Sequence, residues 1–321
     1  MTKKTKPSIK LGFTSGLTLI CAVFLFALLL KNSALASDEV TRALKICTEL
    51  LIPSLFPLMV ASEIMTDSGA IERLTRKISA PFSKILGVSK IATSPYFLGL
   101  FGGYTSSCKS AILLYRNGKI SKNDCESIIA LSNMPSLAFM TGFIGIGIFK
   151  NSTMGWILWT ITVISTLILG LINRLFYKKY SSEFKQDTKR KNAKISFSRT
   201  VVNAIAHSAQ SMLTICACVV FFSVLIAVLK LYLNEIPLPD GTKNIILGTL
   251  EITKGISTCV DIESVRARAL ACAFLVGWSG LCVHFQVIAL CEDTDISLKK
   301  YFIFKILQGL VCTLLTLMFL R

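Results

Sequence analysis

The stretch YFLGLFGGYTSSCK, from Tyr96 to Lys109, decides the fold. It begins as apolar as a membrane span, breaks at Gly102-Gly103, and continues as a polar run that ends on a lysine. Irregular polar backbone occurs at membrane depth only where protein buries it or where it lines a water-filled cavity. An intramembrane lysine normally faces a pathway or a partner. The alternative is an ordinary glycine-kinked helix whose Lys109 snorkels to the interface.

The composition of the chain is that of a membrane protein. Hydrophobic residues make up 53% of the sequence and charged residues 17%, and the mean hydropathy is +0.64. Several nearly uncharged runs approach or exceed about 18 residues, the length that crosses a bilayer. The net charge of +17 comes from basic residues clustered between those runs, as in cytoplasmic loops. We therefore predict an all-α polytopic membrane protein that has no nucleic-acid partner.

The sequence gives little support for an enzyme. It contains two histidines and no recognisable nucleophile–histidine set, H-E-x-x-H motif or P-loop. Its eleven cysteines include no C-x-x-C pair, and most of them lie inside apolar runs, where they act as small packing residues. We expect no catalytic residue, no cofactor and no metal.

The start of the chain has the features of either a signal peptide or a first span. Four lysines within residues 1–10 precede an uncharged run from Leu11 to Leu30, and Ala34-Leu35-Ala36 resembles a signal-peptidase site. The run is longer than the roughly 7–15 residues of a signal peptide core, which favours an uncleaved span. In either case the basic flank places the N-terminus in the cytoplasm and Ser37 outside.

The rest of the chain divides into two similar halves. We expect an N-terminal span in residues 1–37, a first repeat in 38–176, a basic cytoplasmic linker in 177–198 and a second repeat in 199–321. Prolines are expected to kink or break two spans, at Pro53, Pro57 and Pro135. The expected spans lie at 50–65, 128–149, 155–176, 212–231, 267–290 and 300–320, and the expected glycine-broken hairpins at 96–115 and 245–259.

The two halves share one order of elements. Each has a lead-in helix and a span, a broken hairpin, a polar-interrupted span and a plain span. Leu98-Gly99 matches Leu247-Gly248, and Cys108 falls near Cys259, at offsets of about 150 residues. The charge rule starts the first unit outside and the second inside, so we predict inverted repeats whose hairpins are re-entrant. Paired broken segments in inverted halves point to the binding site of a transporter.

Five motifs carry a resemblance to a known family. They are PSLFPLMVASEI, LGLFGGYTSSCK, YRNGKISKNDCESIIALSNMPSLAF, GTLEITKGIS and FLVGWSGLCVHFQV. Together they resemble the sporulation integral membrane protein family called YlbJ or SpoVV, which carries the nucleoside-recognition gate domain. The resemblance runs from about residue 40 to 320. It implies a protein of endospore-forming bacteria that moves dipicolinic acid out of the mother cell across the outer forespore membrane. The gate domain is similar to parts of concentrative nucleoside transporters, whose re-entrant hairpins hold the substrate.

The chain departs from the family pattern at two places. The first hairpin of the family reads closer to G-Y-P-x-G-A-K, whereas residues 105–108 here are Thr-Ser-Ser-Cys. A segment rich in Asn-Ser-Gly-Pro in the family reads Ser-Asn-Met-Pro at 132–135. These departures bear on the solute more than on the fold. A carrier of nucleosides or other small solutes outside sporulation, and a membrane scaffold that moves nothing, remain alternatives.

The solute that the resemblance implies, dipicolinate, is a flat pyridine with two carboxylates. It requires cationic or N–H donors and an apolar slot. The N–H donors expected are at Gly102, Gly103 and Gly255, and the charges at Lys109 and Lys254. Further hydrogen bonds are expected from Ser106, Ser107, Asn133, Thr253, Ser257 and Gln286.

Four further side chains have two interpretations each. Tyr104 and Trp278 either stack on the ring of the solute or pack as ordinary interface aromatics. Glu251 either neutralises Lys254 one helical turn on or binds a coupling ion. His284 either carries a proton or is a buried structural histidine. The expected partners are thus a small anionic solute and the lipid bilayer.

Overall fold

The computed structural model describes residues 13–68, 75, 77–176, 197–238 and 240–320, and all regular secondary structure in these ranges is helical. Residues 177–196 of the expected basic linker lie outside them. The α-helices with described bounds are α1 (Phe13–Lys31), α2 (Ser33–Ile46), α3 (Ile52–Asp67), α4 (Ser79–Leu86), α5 (Thr93–Gly102), α6 (Tyr104–Arg116), α7 (Lys122–Ser132), α8 (Ser152–Phe176), α9 (Phe197–Leu233), α10 (Asp240–Gly248), α11 (Ile252–Thr258), α12 (Val265–Trp278), α13 (Leu281–Cys291) and α14 (Lys299–Phe319). The remaining described elements are π-helical segments at Cys47–Leu51 and Phe139–Ile148 and a 3-10 turn at Cys259–Asp261.

Several helices are long and apolar enough to cross a membrane. In the described part of the chain there are four such helices, or up to five spans if the bent pair of α1 and α2 forms one. Many of their large apolar side chains are exposed on the surface, as contact with lipid requires. The prediction of an all-α integral membrane protein is therefore confirmed. The four candidate spans are Ser152–Leu175, Phe197–Leu233, Val265–Cys291, which comprises α12 and α13, and Lys299–Phe319.

The N-terminal part of the chain turns sharply after its first helix. α1 ends at Lys31, and the helix that follows it lies at 92° to α1. α2 runs through the π-helical segment Cys47–Leu51 into α3. The segment ends just before Pro53, whose nitrogen carries no hydrogen to bond to the preceding turn. The expected distortion by proline is thus a π-helical turn, and Pro57 lies within α3.

The helix α9 differs from the sequence-based expectation. We expected an interfacial lead-in followed by a span from about Met212, whereas one continuous helix of 37 residues runs from Phe197 to Leu233. No glycine or proline interrupts this stretch, so nothing in the backbone ends the helix between the polar lead-in and the apolar run. α9 packs against α2 and α3, and these three helices form one side of the molecule.

The two halves are packed into one another. One buried cluster joins α5, α6 and α7 to α13 and α14, and a second joins the π-helical segments to α8, α9 and α11–α14. A surface contact ties the same parts together: Tyr115 Oη donates to Asp295 Oδ1 at 2.6 Å, and Lys122 Nζ to Oδ2 at 3.0 Å. The hydrogen bond from Tyr115, followed by that from Lys122, lowers the pKa of Asp295 below its ordinary value.

Candidate functional site

A cavity of about 80 Å³ lies where four helix breaks meet. Because roughly 10–15 Å³ of such space holds one water molecule, this cavity has room for several. Its polar wall comes from the breaks, and its apolar wall comes mainly from α3, α9 and the two π-helical segments. The lining residues are Leu51, Leu55, Met59, Gly102, Gly103, Tyr104, Thr105, Pro135, Ser136, Phe139, Ile215, Val219, Glu251, Ile252, Thr253, Cys282, Val283 and Gln286.

The breaks of the first half touch one another. Gly103 separates α5 from α6 and has a φ of +77°, a conformation that only glycine adopts without strain. A Cβ atom at Gly103 would lie 3.2 Å from the backbone nitrogen of Ser136, in the break that follows α7. Pro135 makes this second break, since its ring cannot continue the helix. The glycine pair and the proline therefore have the effect expected from the sequence.

The breaks of the second half are joined by backbone hydrogen bonds. Leu281 N donates to Thr249 O and Cys282 N to Leu250 O, both at 2.9 Å. Gly280 begins α13 with a φ of +81°, and a Cβ atom there would lie 3.0 Å from Ile252 N. Polar backbone that leaves its own helix thus finds partners in the neighbouring break, as it must inside a membrane.

Three α-helices begin at the cavity, and their first N–H groups differ in use. The π-helical segment Phe139–Ile148 also starts beside it, where Phe139 N donates to Ser136 Oγ at 3.2 Å. Glu251 caps α11 and accepts from Thr253 N at 2.9 Å and Lys254 N at 2.6 Å. The N–H groups of α13 are used by the neighbouring break, as described above. α6 has no side-chain cap on its first turn, and its first residues, Tyr104 and Thr105, line the cavity. The start of α6 therefore retains the positive potential of an uncapped helix N-terminus.

Five of the residues predicted to bind solute line this cavity, and so does Glu251, a candidate coupling-ion residue. They come from both halves, and Glu251 is the one charged side chain among the described lining residues. Its side chain is 1% exposed. The five predicted solute-binding residues are Gly102, Gly103, Tyr104, Thr253 and Gln286.

The predicted serines lie elsewhere and bond to backbone carbonyls. Ser106 Oγ donates to Gly102 O at 3.0 Å, and Ser257 Oγ to Thr253 O at 2.8 Å. Ser107 is fully buried and its hydroxyl donates to Ser132 O at 3.1 Å, which joins α6 to the end of α7. These hydroxyls bond to backbone carbonyls near the breaks and do not line the cavity.

Neither predicted lysine lines the cavity. Lys109 is exposed, and its Nζ donates to Ser211 Oγ on α9 at 2.7 Å. Lys254 Nζ lies 2.9 Å from Glu39 Oε2, so α11 is joined to α2 by an ion pair. Glu251 holds the backbone of α11, whereas the ammonium of Lys254 pairs with Glu39. Of the two interpretations of Glu251, a direct ion pair with the Lys254 side chain is not seen, since the Lys254 ammonium pairs with Glu39.

The second hairpin breaks earlier than its glycine indicated. We expected Gly255 to offer a free N–H at the break, but the break lies at residues 249–251 and Gly255 lies within α11. Its N–H donates to Glu251 O at 3.0 Å. A Cβ atom at Gly255 would lie 2.4 Å from Gly248 Cα, so this glycine allows α10 and α11 to touch. Trp278 Nε1 donates to Thr249 O at 3.0 Å and so braces the same break.

Asn133 and His284 belong to a buried polar network beside the cavity. Asn133 Nδ2 donates to Tyr104 O at 3.1 Å, and Tyr301 Oη donates to Asn133 Oδ1 at 3.3 Å. His284 Nδ1 lies 2.7 Å from Tyr301 Oη. His284 Nε2 is buried and has no hydrogen-bond partner among the described residues. Lys305 Nζ completes the network by donating to Asn133 O at 2.8 Å.

Comparison with known proteins gives one informative relative. The sporulation integral membrane protein YlbJ of Bacillus subtilis (strain 168) is 25% identical over 325 residues, which cover 91% of this chain and 79% of the relative. This similarity supports assignment of the chain to the YlbJ family. No family model matches it, and no solved structure gives a significant match. The resemblance drawn from the sequence motifs is thereby confirmed at the level of the family.

One buried residue beside the cavity was missed by the sequence reasoning. Lys305 is 0% exposed in the middle of the last apolar helix, α14. The sequence contained a signal for it, since Lys305 is the one charged residue between Tyr301 and Leu320. A lone lysine in a span is by itself a reason to expect function. We treated 300–320 as a plain span and so did not single it out.

Proposed function

We propose that this YlbJ family member is a carrier of a small anionic solute. Its solute in sporulation is dipicolinate, moved out of the mother cell across the outer forespore membrane. The observation that supports a carrier is a cavity formed where four helix breaks meet within a chain of membrane-spanning helices. Dipicolinate itself comes from the family resemblance and is the finer part of the proposal.

Helix breaks at membrane depth favour transport over a purely structural role. Each break releases backbone groups that a bilayer cannot satisfy, so a scaffold gains nothing from four of them. Secondary transporters use such discontinuous helices to hold solute near the middle of the membrane. In this chain the breaks are supported by two positive-φ glycines, Gly103 and Gly280, and by buried hydrogen bonds.

The element order supports a pair of inverted repeats. α5 and α6 correspond to α10 and α11, the broken helix after α6 to α12 and α13, and α8 to α14. In both halves the break of the hairpin packs on the break of the following helix. With the basic N-terminus in the cytoplasm, the two hairpins enter the membrane from opposite faces and meet at the cavity.

The cavity lining suits a flat ring with polar ends. Apolar side chains from α3 and α9, including Leu55 and Val219, form a slot for the ring. Gln286 and the uncapped start of α6 offer donors to the carboxylates. The carboxylate of Glu251 alone would repel a dianion. A proton or a metal cation therefore enters with the solute and neutralises the Glu251 carboxylate.

A neutral nucleoside is a second candidate solute. Glu251 favours it, because a carboxylate in a cavity can accept hydrogen bonds from sugar hydroxyls. No lysine or arginine is among the described residues that line the cavity. A flux comparison separates the two candidates.

The test is solute uptake by purified protein in liposomes, with labelled dipicolinate and labelled uridine compared. We expect uptake of dipicolinate and little of uridine, and at least about a tenfold loss of uptake when Val219→Phe fills the cavity. Val202→Phe is the matched control, since Val202 lies on the same helix and is 64% exposed. Uptake of uridine alone would support the second candidate, and uptake of neither would contradict a carrier of these solutes.

A further inference from the structure

Lys305 is a buried lysine that has no carboxylate partner among the residues that the structure describes. Its side chain is 0% exposed and lies six residues, about 9 Å, along α14 from Lys299. Its Nζ donates to Asn133 O at 2.8 Å and to Gln308 Oε1 at 2.7 Å. Both acceptors are neutral. An ammonium has three N–H donors, so one remains for a further acceptor.

Other lysines of the described chain show what such a partner looks like. Lys254 pairs with Glu39 and Lys122 with Asp295. Among the described residues no carboxylate forms an ion pair with Lys305. An unpaired charge at membrane depth is unfavourable and normally marks a pathway or a ligand. The fold tolerates it through two hydrogen bonds and the ring of Tyr104, whose centroid is 5.8 Å from Nζ.

One layer of side chain and backbone separates Lys305 from the cavity. Tyr104 lines the cavity and also faces the Lys305 ammonium. Asn133, which accepts from Lys305, begins the break that continues into Pro135 and Ser136, and both of these line the cavity. The Tyr104 hydroxyl donates a long hydrogen bond of 3.4 Å to Val276 O and also interacts with the Ser279 side chain. A turn of this one ring would bring the ammonium to the cavity wall.

We propose that Lys305 is the residue that recognises the negative charge of the solute. On binding, the ring of Tyr104 turns aside and a carboxylate of the solute takes its place against the ammonium. The buried ammonium and the desolvated carboxylate then form an ion pair, which offsets the cost of burying each charge alone. This assignment rests on the proposed transport of an anion and adds the group that selects for it.

The experiment measures binding to the purified full chain in nanodiscs, with two probes of the same shape. Dipicolinate carries two carboxylates, and pyridine-2,6-dimethanol keeps the ring without charge. In Lys305→Met we expect the Kd of dipicolinate to rise at least about 30-fold, as for a buried charge left unpaired. The Kd of the neutral probe should change less than about threefold, because it makes no ion pair. Lys299→Met, which removes an exposed lysine of the same helix, should change neither value.

The outcomes separate this inference from the proposed function. If Lys305→Met binds dipicolinate as tightly as the wild type, Lys305 is not the anion-recognising group and the carrier proposal stands. If both probes lose affinity equally, Lys305 has a structural role and the inference is overturned. If the Lys305→Met variant does not insert into the membrane, the two probes are compared on the wild type alone. Equal affinity of the wild type for both probes then overturns the inference. If wild-type protein neither binds nor moves dipicolinate, the proposed function fails and this inference fails with it.

Discussion

Gly103 and Ser136 lie so close that a Cβ atom on the glycine would be 3.2 Å from the serine backbone nitrogen and 3.3 Å from its Cβ. Through this contact the break between α5 and α6 packs directly against the break that follows α7. Both residues also line the cavity. The shape of the cavity therefore depends on the absence of a side chain at residue 103.

Replacing Gly103 by alanine should both destabilise the protein and impair uptake. Gly103 has φ +77° and ψ −165°, a region that is essentially reserved for glycine, so the variant should lose about 2 kcal/mol or more. Gly118→Ala is the matched control, since Gly118 has φ +65° but nothing within 4 Å of its Cβ position. The thermal midpoints in detergent and the uptake of dipicolinate check this. Equal effects of the two substitutions would contradict the packing of the two breaks.

The ion pair between Lys254 and Glu39 should stabilise the fold without touching the solute. Glu39 is 7% exposed at its side chain and also pairs with Arg42 Nη1 at 2.9 Å. Lys254→Met should therefore lower the free energy of unfolding by about 2 kcal/mol, and it should do so much less when Glu39→Gln is already present. A double-mutant cycle in detergent measures this coupling. If Lys254→Met weakens dipicolinate binding while Glu39→Gln does not, Lys254 contacts the solute as its sequence position predicted.

Lys109→Ala is a direct test of a sequence-based site residue. The sequence places Lys109 at membrane depth, and on that basis it predicts that the variant stays in the membrane and loses solute movement. The Lys109 side chain is exposed and donates to Ser211 Oγ, so the geometry forecasts uptake within about threefold of the wild type. Ser211→Ala, which removes the acceptor, should behave in the same way. Loss of uptake in Lys109→Ala alone, with normal insertion, would return Lys109 to the solute pathway.

Glu251→Gln should uncouple uptake from the ion that enters with the solute. The substitution removes the negative charge and one of the two hydrogen bonds by which Glu251 caps α11. The loss of that hydrogen bond should lower the free energy of unfolding by about 1 kcal/mol. Proteoliposomes under an imposed proton or sodium gradient should accumulate dipicolinate with wild-type protein. The variant should only exchange labelled for unlabelled solute. Glu63→Gln, which changes a carboxylate beside His207 outside the cavity, is the control. Gradient-driven accumulation by Glu251→Gln would contradict a coupling role.

Local sequence signals predicted much of the fold. Gly102-Gly103 and Pro135 act on the backbone directly, so their breaks fall where the sequence places them. The break predicted at Gly255 was wrong, because glycine permits close helix packing as readily as it breaks a helix. Gly255 packs directly against Gly248. The break at 249–251 is made by tertiary hydrogen bonds from Leu281 and Cys282, which no local pattern reveals.

The candidate site was predicted less completely than the fold. Long side chains choose partners far away in the sequence: Lys254 and Glu39 are 215 residues apart. Their pairing depends on how α2 packs beside α11, and no charge pattern along one helix contains that information. Lys305 was visible as a lone charge in an apolar run, but its contact with Asn133 required the coordinates.

The most direct measurement of the central claim uses Cys282, a native thiol in the cavity wall. Purified protein is treated with N-ethylmaleimide, and alkylation of each cysteine is followed by mass spectrometry with and without saturating dipicolinate. Cys21 is the internal control, because it is exposed on α1, far along the chain from the lining residues. We predict that dipicolinate slows alkylation of Cys282 at least about tenfold and leaves Cys21 unchanged. An unchanged rate at Cys282, under conditions in which the protein moves dipicolinate, would show that the solute binds elsewhere.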